Sequence, residues 1–169
     1  PAKCNYRADH WLGQGVYFFV HYEKALWWSA TAVLHKHFGR VIFRATIEAP
    51  DEEVLDLDDN KQLDAFFAEI IQCIDELKKI VLEICLYLMK NFRALFFDYY
   101  KQKKNIAVIT RTFQKDYAGY TTRRNKKDKE LQKKIVNITG LGFNERQICV
   151  SKKECIKSTK LIYNEEEVI

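Results

Sequence analysis

Apolar residues fall along this chain in an unbroken run, at helical spacing and in strict alternation, and each pattern predicts an element. Val16-Tyr17-Phe18-Phe19 is a continuous apolar run of strand-forming residues and predicts a buried strand. Beyond His21-Tyr22-Glu23, the residues Ala25, Leu26, Trp28, Ala32 and Val33 return at helical spacing, and Gly39 stands where a helix cap would sit. From Arg40 to Glu48 the period drops to two. Val41, Phe43, Ala45 and Ile47 fall on one face and Arg44, Thr46 and Glu48 on the other, which predicts a strand that Pro50 stops. A short Val54–Leu57 segment follows, and Asp58-Asp59-Asn60 offers a helix N-cap.

The strongest periodicity begins at Leu63. Phe66, Phe67, Ile70, Ile71, Ile74, Leu77, Val81, Ile84, Leu88, Phe92 and Leu95 are spaced by threes and fours. A single helix to Phe97 would be roughly 50 Å long at about 1.5 Å per residue, too long for a domain of this size. Two helices are therefore expected, with the break between Asp75 and Lys79 or near Asn91. Ile84–Met89 is apolar on all sides, which implies cover by the sheet or by a partner. Lys101–Lys104 reads as a polar turn, Asn105–Thr110 as a short buried strand and Arg111–Tyr120 as a loop. Lys126–Val136 reads as a short basic helix closed by Gly140 and Gly142. Gln147–Val150 predicts a strand, Lys152–Ile156 a turn and Lys160–Tyr163 a terminal strand.

Composition narrows the class. At 169 residues the chain reads as one domain, 1–169, with a helical insertion over about 60–100. A hydrophobic share of 47%, with only two prolines and six glycines, fits a packed core and leaves little material for linkers. Five cysteines without a C-x-x-C spacing point to reduced thiols in a cytoplasmic protein rather than a disulfide framework. Cys149 and Cys155 read as small core residues. The apolar run Val81–Met89 is broken by Glu83 and is too short for a bilayer, so no membrane partner is expected. The net charge of +5 is mild, but its distribution is not. Arg123, Arg124, Lys126 and Lys127, continued by Lys129, Lys133 and Lys134, make a basic cluster that attracts phosphates, and acidic residues gather in Asp51–Asp64 and Glu165–Glu167. The same cluster is also what a solvated loop and helix face look like.

Candidate chemistry concentrates in Asp9–Ser29. Gly13 and Gly15 stand one residue apart, just ahead of the aromatic strand, where they let the backbone turn tightly or approach a ligand closely. They precede a strand instead of opening a helix, which argues against a dinucleotide-binding βαβ unit, and no phosphate-binding G-x-x-x-x-G-K-[ST] loop is present. His35-x-His37 at a helix end, with His21 nearby, projects its side chains in different directions, so no metal is expected.

The run Gly13-Gln14-Gly15-Val16-Tyr17-Phe18, with Trp11-Leu12 before it and an alanine- and tryptophan-containing helix after it, resembles the G-x-G-[VIF]-Y-[FL] strand of ADP-ribosyltransferase-like proteins, notably bacterial members with toxin–antitoxin or anti-phage functions. In that family the strand tyrosine stacks on the nicotinamide ring of NAD. The resemblance therefore implies Tyr17 as that wall, with Gly13 and Gly15 in the cofactor-binding turn. Stacking and cation–π attraction make an aromatic face opposite a cationic ring physically sensible. Tyr22 is either a second aromatic wall or a residue packing at the helix entrance.

Asn144–Ile156 carries a second similarity, a late Gln147-Ile-Cys-Val150 strand followed by a turn and Cys155-Ile156. In the family the start of this strand holds the acidic or amide residue of the third catalytic motif. A group there that binds the ribose hydroxyls stabilises the oxocarbenium-like state formed as the nicotinamide bond breaks. Glu145 has the charge and Gln147 fits the bacterial pattern; alternation sends both to one side of the strand and Arg146 to the other.

The resemblance implies an α+β fold with an ADP-ribosyltransferase-like split mixed/antiparallel sheet and an inserted helical segment. It also implies NAD as substrate, transfer to a nucleic acid or protein, and a toxin or anti-phage role with an antitoxin or partner protein. The family's earlier strand, which supplies a histidine or arginine, has no counterpart in Pro1–Asp9, and His10 is too close to Tyr17 to replace it. Either residues ahead of Pro1 supply that strand, or the protein is an inactive relative serving as a protein- or nucleic-acid-binding module.

Overall fold

The structure, a computed structural model, describes residues 10–31, 40–80, 93–115 and 143–164. Its elements are β1 (Val16–Phe19), α1 (Tyr22–Thr31), β2 (Val41–Ile47), β3 (Val54–Asp56), α2 (Asn60–Ile80), α3 (Arg93–Lys104), β4 (Val108–Lys115), β5 (Phe143–Val150) and β6 (Ile156–Asn164). The fold is α+β with mixed parallel and antiparallel pairing. One sheet has four strands in the order β1-β5-β4-β3, and β2 and β6 form a second, two-stranded sheet.

The chain divides into two compact units. The first comprises Pro1–Tyr17, Ile47–Arg111 and Ile148–Ile156, the second Phe18–Thr46, Thr112–Gln147 and Lys157–Ile169. In the first unit β3 and β4 pair in parallel, with Leu55 opposite Ile109 and Val54 opposite Val108. Parallel strands need a crossover between them. Here α2 and α3 lie in that connection, so the helical segment anticipated as an insertion links the two strands. Leu55, Ala107, Val108 and Ile109 are buried, as expected of a parallel pair covered on both faces.

The start of α2 follows directly from its sequence. Asp59 accepts the Gln62 amide at 2.9 Å through its side chain and the Leu63 amide at 2.9 Å through its carbonyl, so it caps the helix as expected. Phe66 then enters the core, stacked on Phe97 with centroids 5.0 Å apart and planes at 13°, and edge-on to Tyr100 at 5.0 Å. Across the same helix pair Glu69 takes both Lys103 and Lys104, and the hydrogen bond from Lys103 is the leading cause that holds its carboxyl below the usual range.

Several element boundaries differ from expectation. α2 runs through Asp75–Lys79 to Ile80, so no break falls there; Asn91 and Ile84–Met89 lie outside the described residues, as do Gly39 and Lys126–Val136. Lys101–Lys104 is not a turn but the last turn of α3. It ends instead at Asn105, whose φ of 57° is the left-handed conformation of a helix stop, with the Ile106 amide on the Lys101 carbonyl at 2.9 Å. β4 runs past Thr110 to Lys115, taking in residues read as loop, because Thr112 and Phe113 suit a strand as well as the apolar residues before them. β5 starts at Phe143 and β6 spans Ile156–Asn164, both longer than the apolar cores that marked them. In β2 the buried residue is Ile42, while Val41 and Phe43 of the alternating apolar face are exposed.

Phe66→Ala is expected to remove about 3–5 kcal/mol of stability in urea unfolding, the usual range for a buried phenylalanine. Phe67→Ala, at a side chain half exposed on the outer face of α2, is expected to cost less than about 1 kcal/mol in the same measurement.

Candidate functional site

The residues singled out by sequence fall into both units. In the first, Gly13 has a φ of 78°, which only glycine adopts without strain. A Cβ there would lie 2.4 Å from Asp98 Oδ1 and 2.8 Å from Lys101 Nζ. At Gly15 a Cβ would lie 2.6 Å from Cys149 Sγ and 2.7 Å from the Val150 carbonyl oxygen. The close approach that both glycines permit is therefore to the protein's own α3 and β5.

Between the glycines, Gln14 is held at both backbone polar groups. Its amide donates to Asp98 Oδ1 at 2.7 Å, and its carbonyl accepts from Lys101 Nζ at 2.7 Å. The Lys101 ammonium is buried, and it also lies 3.4 Å from Asp98 and 3.6 Å from Cys149 Sγ. Burial pushes the Cys149 thiol up from its ordinary range, with the positive charge of Lys101 opposing. Asp98 and Lys101 were not anticipated by sequence. They sit one turn apart on the face of α3 that also carries Ala94 and Phe97, so the signal was a charged pair at i,i+3 on an otherwise apolar face.

Tyr17 closes the same turn. Its hydroxyl accepts the Leu12 amide at 2.7 Å and donates to the Gly13 carbonyl at 2.8 Å. His10 meets its ring edge-on at 5.2 Å. Burial first, then the neighbouring Cys149, drives the phenol well above its ordinary range. The hydroxyl is thus committed to the fold, and what the side chain offers a ligand is the ring.

In the second unit, Glu145 and Gln147 lie on one side of β5, as alternation required, and Arg146 is exposed. Gln147 Nε2 donates to Glu145 Oε1 at 2.7 Å. Glu145 is 1% exposed, and its other oxygen, Oε2, lies 3.9 Å from the Nζ of Lys24, itself 6% exposed. Lys24 was also missed by sequence. It stands in the first turn of α1, where the helix dipole disfavours a cation, and that mismatch was the available sign that an anion lies near it. Tyr22, the first residue of α1, is exposed. The rings of Phe19 and Trp28 lie tilted to each other with centroids 6.1 Å apart.

Among the described residues, no cluster of three or more His, Cys, Asp or Glu is arranged to hold a metal ion, and no helix is long and apolar enough to cross a membrane. Cys149 and Cys155 are free thiols, both buried as expected of small core residues. His35, His37 and the basic cluster Arg123, Arg124, Lys126 and Lys127 lie outside the described residues. Comparison with protein-family models, with curated proteins and with solved structures finds no match to the chain.

Tyr17→Phe deletes a hydroxyl that serves two backbone groups and is expected to cost about 1–3 kcal/mol. The neutral phenol is the form the fold favours. Its contribution is therefore fully present below the unfolded-state value of about 10 and is lost as pH rises beyond it. Urea midpoints followed from pH 8 upward should fall less steeply in Tyr17→Phe than in the unaltered protein. Gly13→Ala, which combines a left-handed φ with a clash, is expected to lower stability by at least about 1 kcal/mol in thermal melts.

Proposed function

We propose that the protein is an NAD-dependent ADP-ribosyltransferase acting on a macromolecule, a nucleic acid or a protein, in a bacterial toxin or anti-phage setting. One observation carries the reading: the two strands whose residues resemble that family, β1 with Gly13-x-Gly15-Val-Tyr17-Phe leading into it and β5 with Gln147-Ile-Cys-Val150, are neighbours in one sheet. On this reading the Tyr17 ring forms the wall against the nicotinamide, on a turn that Asp98 and Lys101 hold rigid. Gln147, half-buried on β5 and hydrogen-bonded to the buried Glu145, is the group assigned to the ribose.

In chemical terms, nicotinamide leaves with the electrons of the glycosidic bond, positive charge builds on the ribose, and a nucleophile of the acceptor captures it. The chain's part is to hold the nicotinamide end flat against an aromatic ring and the ribose hydroxyls against a polar group, so that the charge develops in a fixed electrostatic environment. The basic residues Arg123, Arg124, Lys126 and Lys127 favour a nucleic-acid acceptor by phosphate attraction.

Full-length protein incubated with NAD labelled in the ADP-ribose moiety and separate pools of RNA, DNA and protein is expected to label one pool. Tyr17→Phe keeps the ring and should retain transfer, whereas Tyr17→Leu and Gln147→Ala, checked for folding by circular dichroism, should lose it. Absence of both label transfer and nicotinamide release would overturn the enzymatic reading in favour of a binding module of the same fold.

A further inference from the structure

We propose that Glu145 is a positioning residue and not a group that touches the substrate: with Lys24 as its anchor, it fixes the orientation of the Gln147 side-chain amide. The role assigned to the amide oxygen rests on the reading of Gln147 as the ribose-binding group. The orientation of the amide stands on geometry alone.

Three buried or half-buried polar groups form a chain from α1 to β5. Lys24 and Glu145 are each more than nine-tenths buried, a placement that charged residues take almost only when paired. Lys24 also carries its charge in the first turn of a helix, against the dipole. Both costs are offset by the opposite charge 3.9 Å away. The carboxylate so anchored can only accept hydrogen bonds, whereas the Gln147 amide has a donor end and an acceptor end. At 2.7 Å from Glu145 Oε1, the Gln147 group must therefore be Nε2. Its Oε1 is then turned away from Glu145 and presented as a hydrogen-bond acceptor of fixed direction. A ribose hydroxyl that donates to this acceptor keeps electron density on its oxygen beside the developing positive charge, whereas an amide free to flip would present a donor part of the time. The buried pair thus converts an ambivalent side chain into an acceptor, and the carboxylate does so without leaving its buried position.

Two measurements separate this inference from the reading it rests on. The first is independent of activity. In nitrogen-15 spectra, the Gln147 side-chain amide, identified by its disappearance in Gln147→Ala, is expected to resonate apart from solvent-exposed glutamine amides and to collapse onto them in Glu145→Gln. A Gln147 amide unmoved by Glu145→Gln overturns the proposal. The second is steady-state nicotinamide release from NAD. Glu145→Gln and Lys24→Met are each expected to lower kcat by about tenfold to a hundredfold, the scale of a small misplacement in a site, with KM for NAD nearly unchanged. Lys24→Arg, which keeps the charge, should recover most of the loss. Abolished release in a folded Glu145→Gln, beside retained release in Gln147→Ala, would make Glu145 the substrate-touching group and overturn the proposal. A protein that releases no nicotinamide, yet shows the displaced Gln147 resonance, would overturn the enzymatic reading and leave the amide orientation standing.

Discussion

A single buried ammonium organises the first unit. Lys101 reaches from the last turn of α3 to the Gln14 carbonyl, to Asp98 and to the thiol of Cys149, and so fastens the glycine turn to a helix and a strand far from it in sequence. A lysine nitrogen removed from water must find such partners, and the requirement is strict because a lost partner leaves a charge stranded in a poor dielectric. Gly13 and Gly15 follow from this constraint. Any side chain at Gly13 would occupy the space of the Asp98–Lys101 pair, and any at Gly15 that of Cys149 and Val150. Tyr17 completes the arrangement by tying Leu12 and Gly13 with one hydroxyl. The turn is thus held by hydrogen bonds at Leu12, Gly13 and both backbone groups of Gln14.

The second unit rests on a different balance. Among its described residues, Ile42 is the buried large apolar side chain, while Trp28, Val41, Phe43, Leu161 and Ile162 are exposed. The deeply buried positions there include a charged pair, Lys24 and Glu145, which specifies a geometry more than it adds stability. An apolar pair would hold the strand equally well but would leave Gln147 free to flip. The polar pair is best understood through the side chain it orients.

The two units also show what an element's surroundings do to its legibility. β3 and the first half of β4 were readable because parallel strands buried on both faces are apolar throughout. Most of β6 was not, because exposed strand positions accept Lys, Ser and Thr as readily as a loop does. The last turn of α3 was hidden in the same way: Lys101-Gln-Lys-Lys104 carries no apolar residue, yet its first lysine is as buried as its neighbour Tyr100.

Local physics determined much of this protein from its sequence. It determined the strand after the glycines, the Asp59 cap and the apolar periodicity of α2, since caps and periodicities act between residues a few positions apart. It also placed Glu145 and Gln147 on one side of β5, because strand geometry permits nothing else. Only the tertiary structure decided which of the two lies buried, that Lys24 stands opposite Glu145, and that Asp98 and Lys101 clasp Gln14. Those partners are more than eighty residues apart along the chain. Charge complementarity in a core depends on which groups the fold brings within a few ångströms, and no local pattern records that distance.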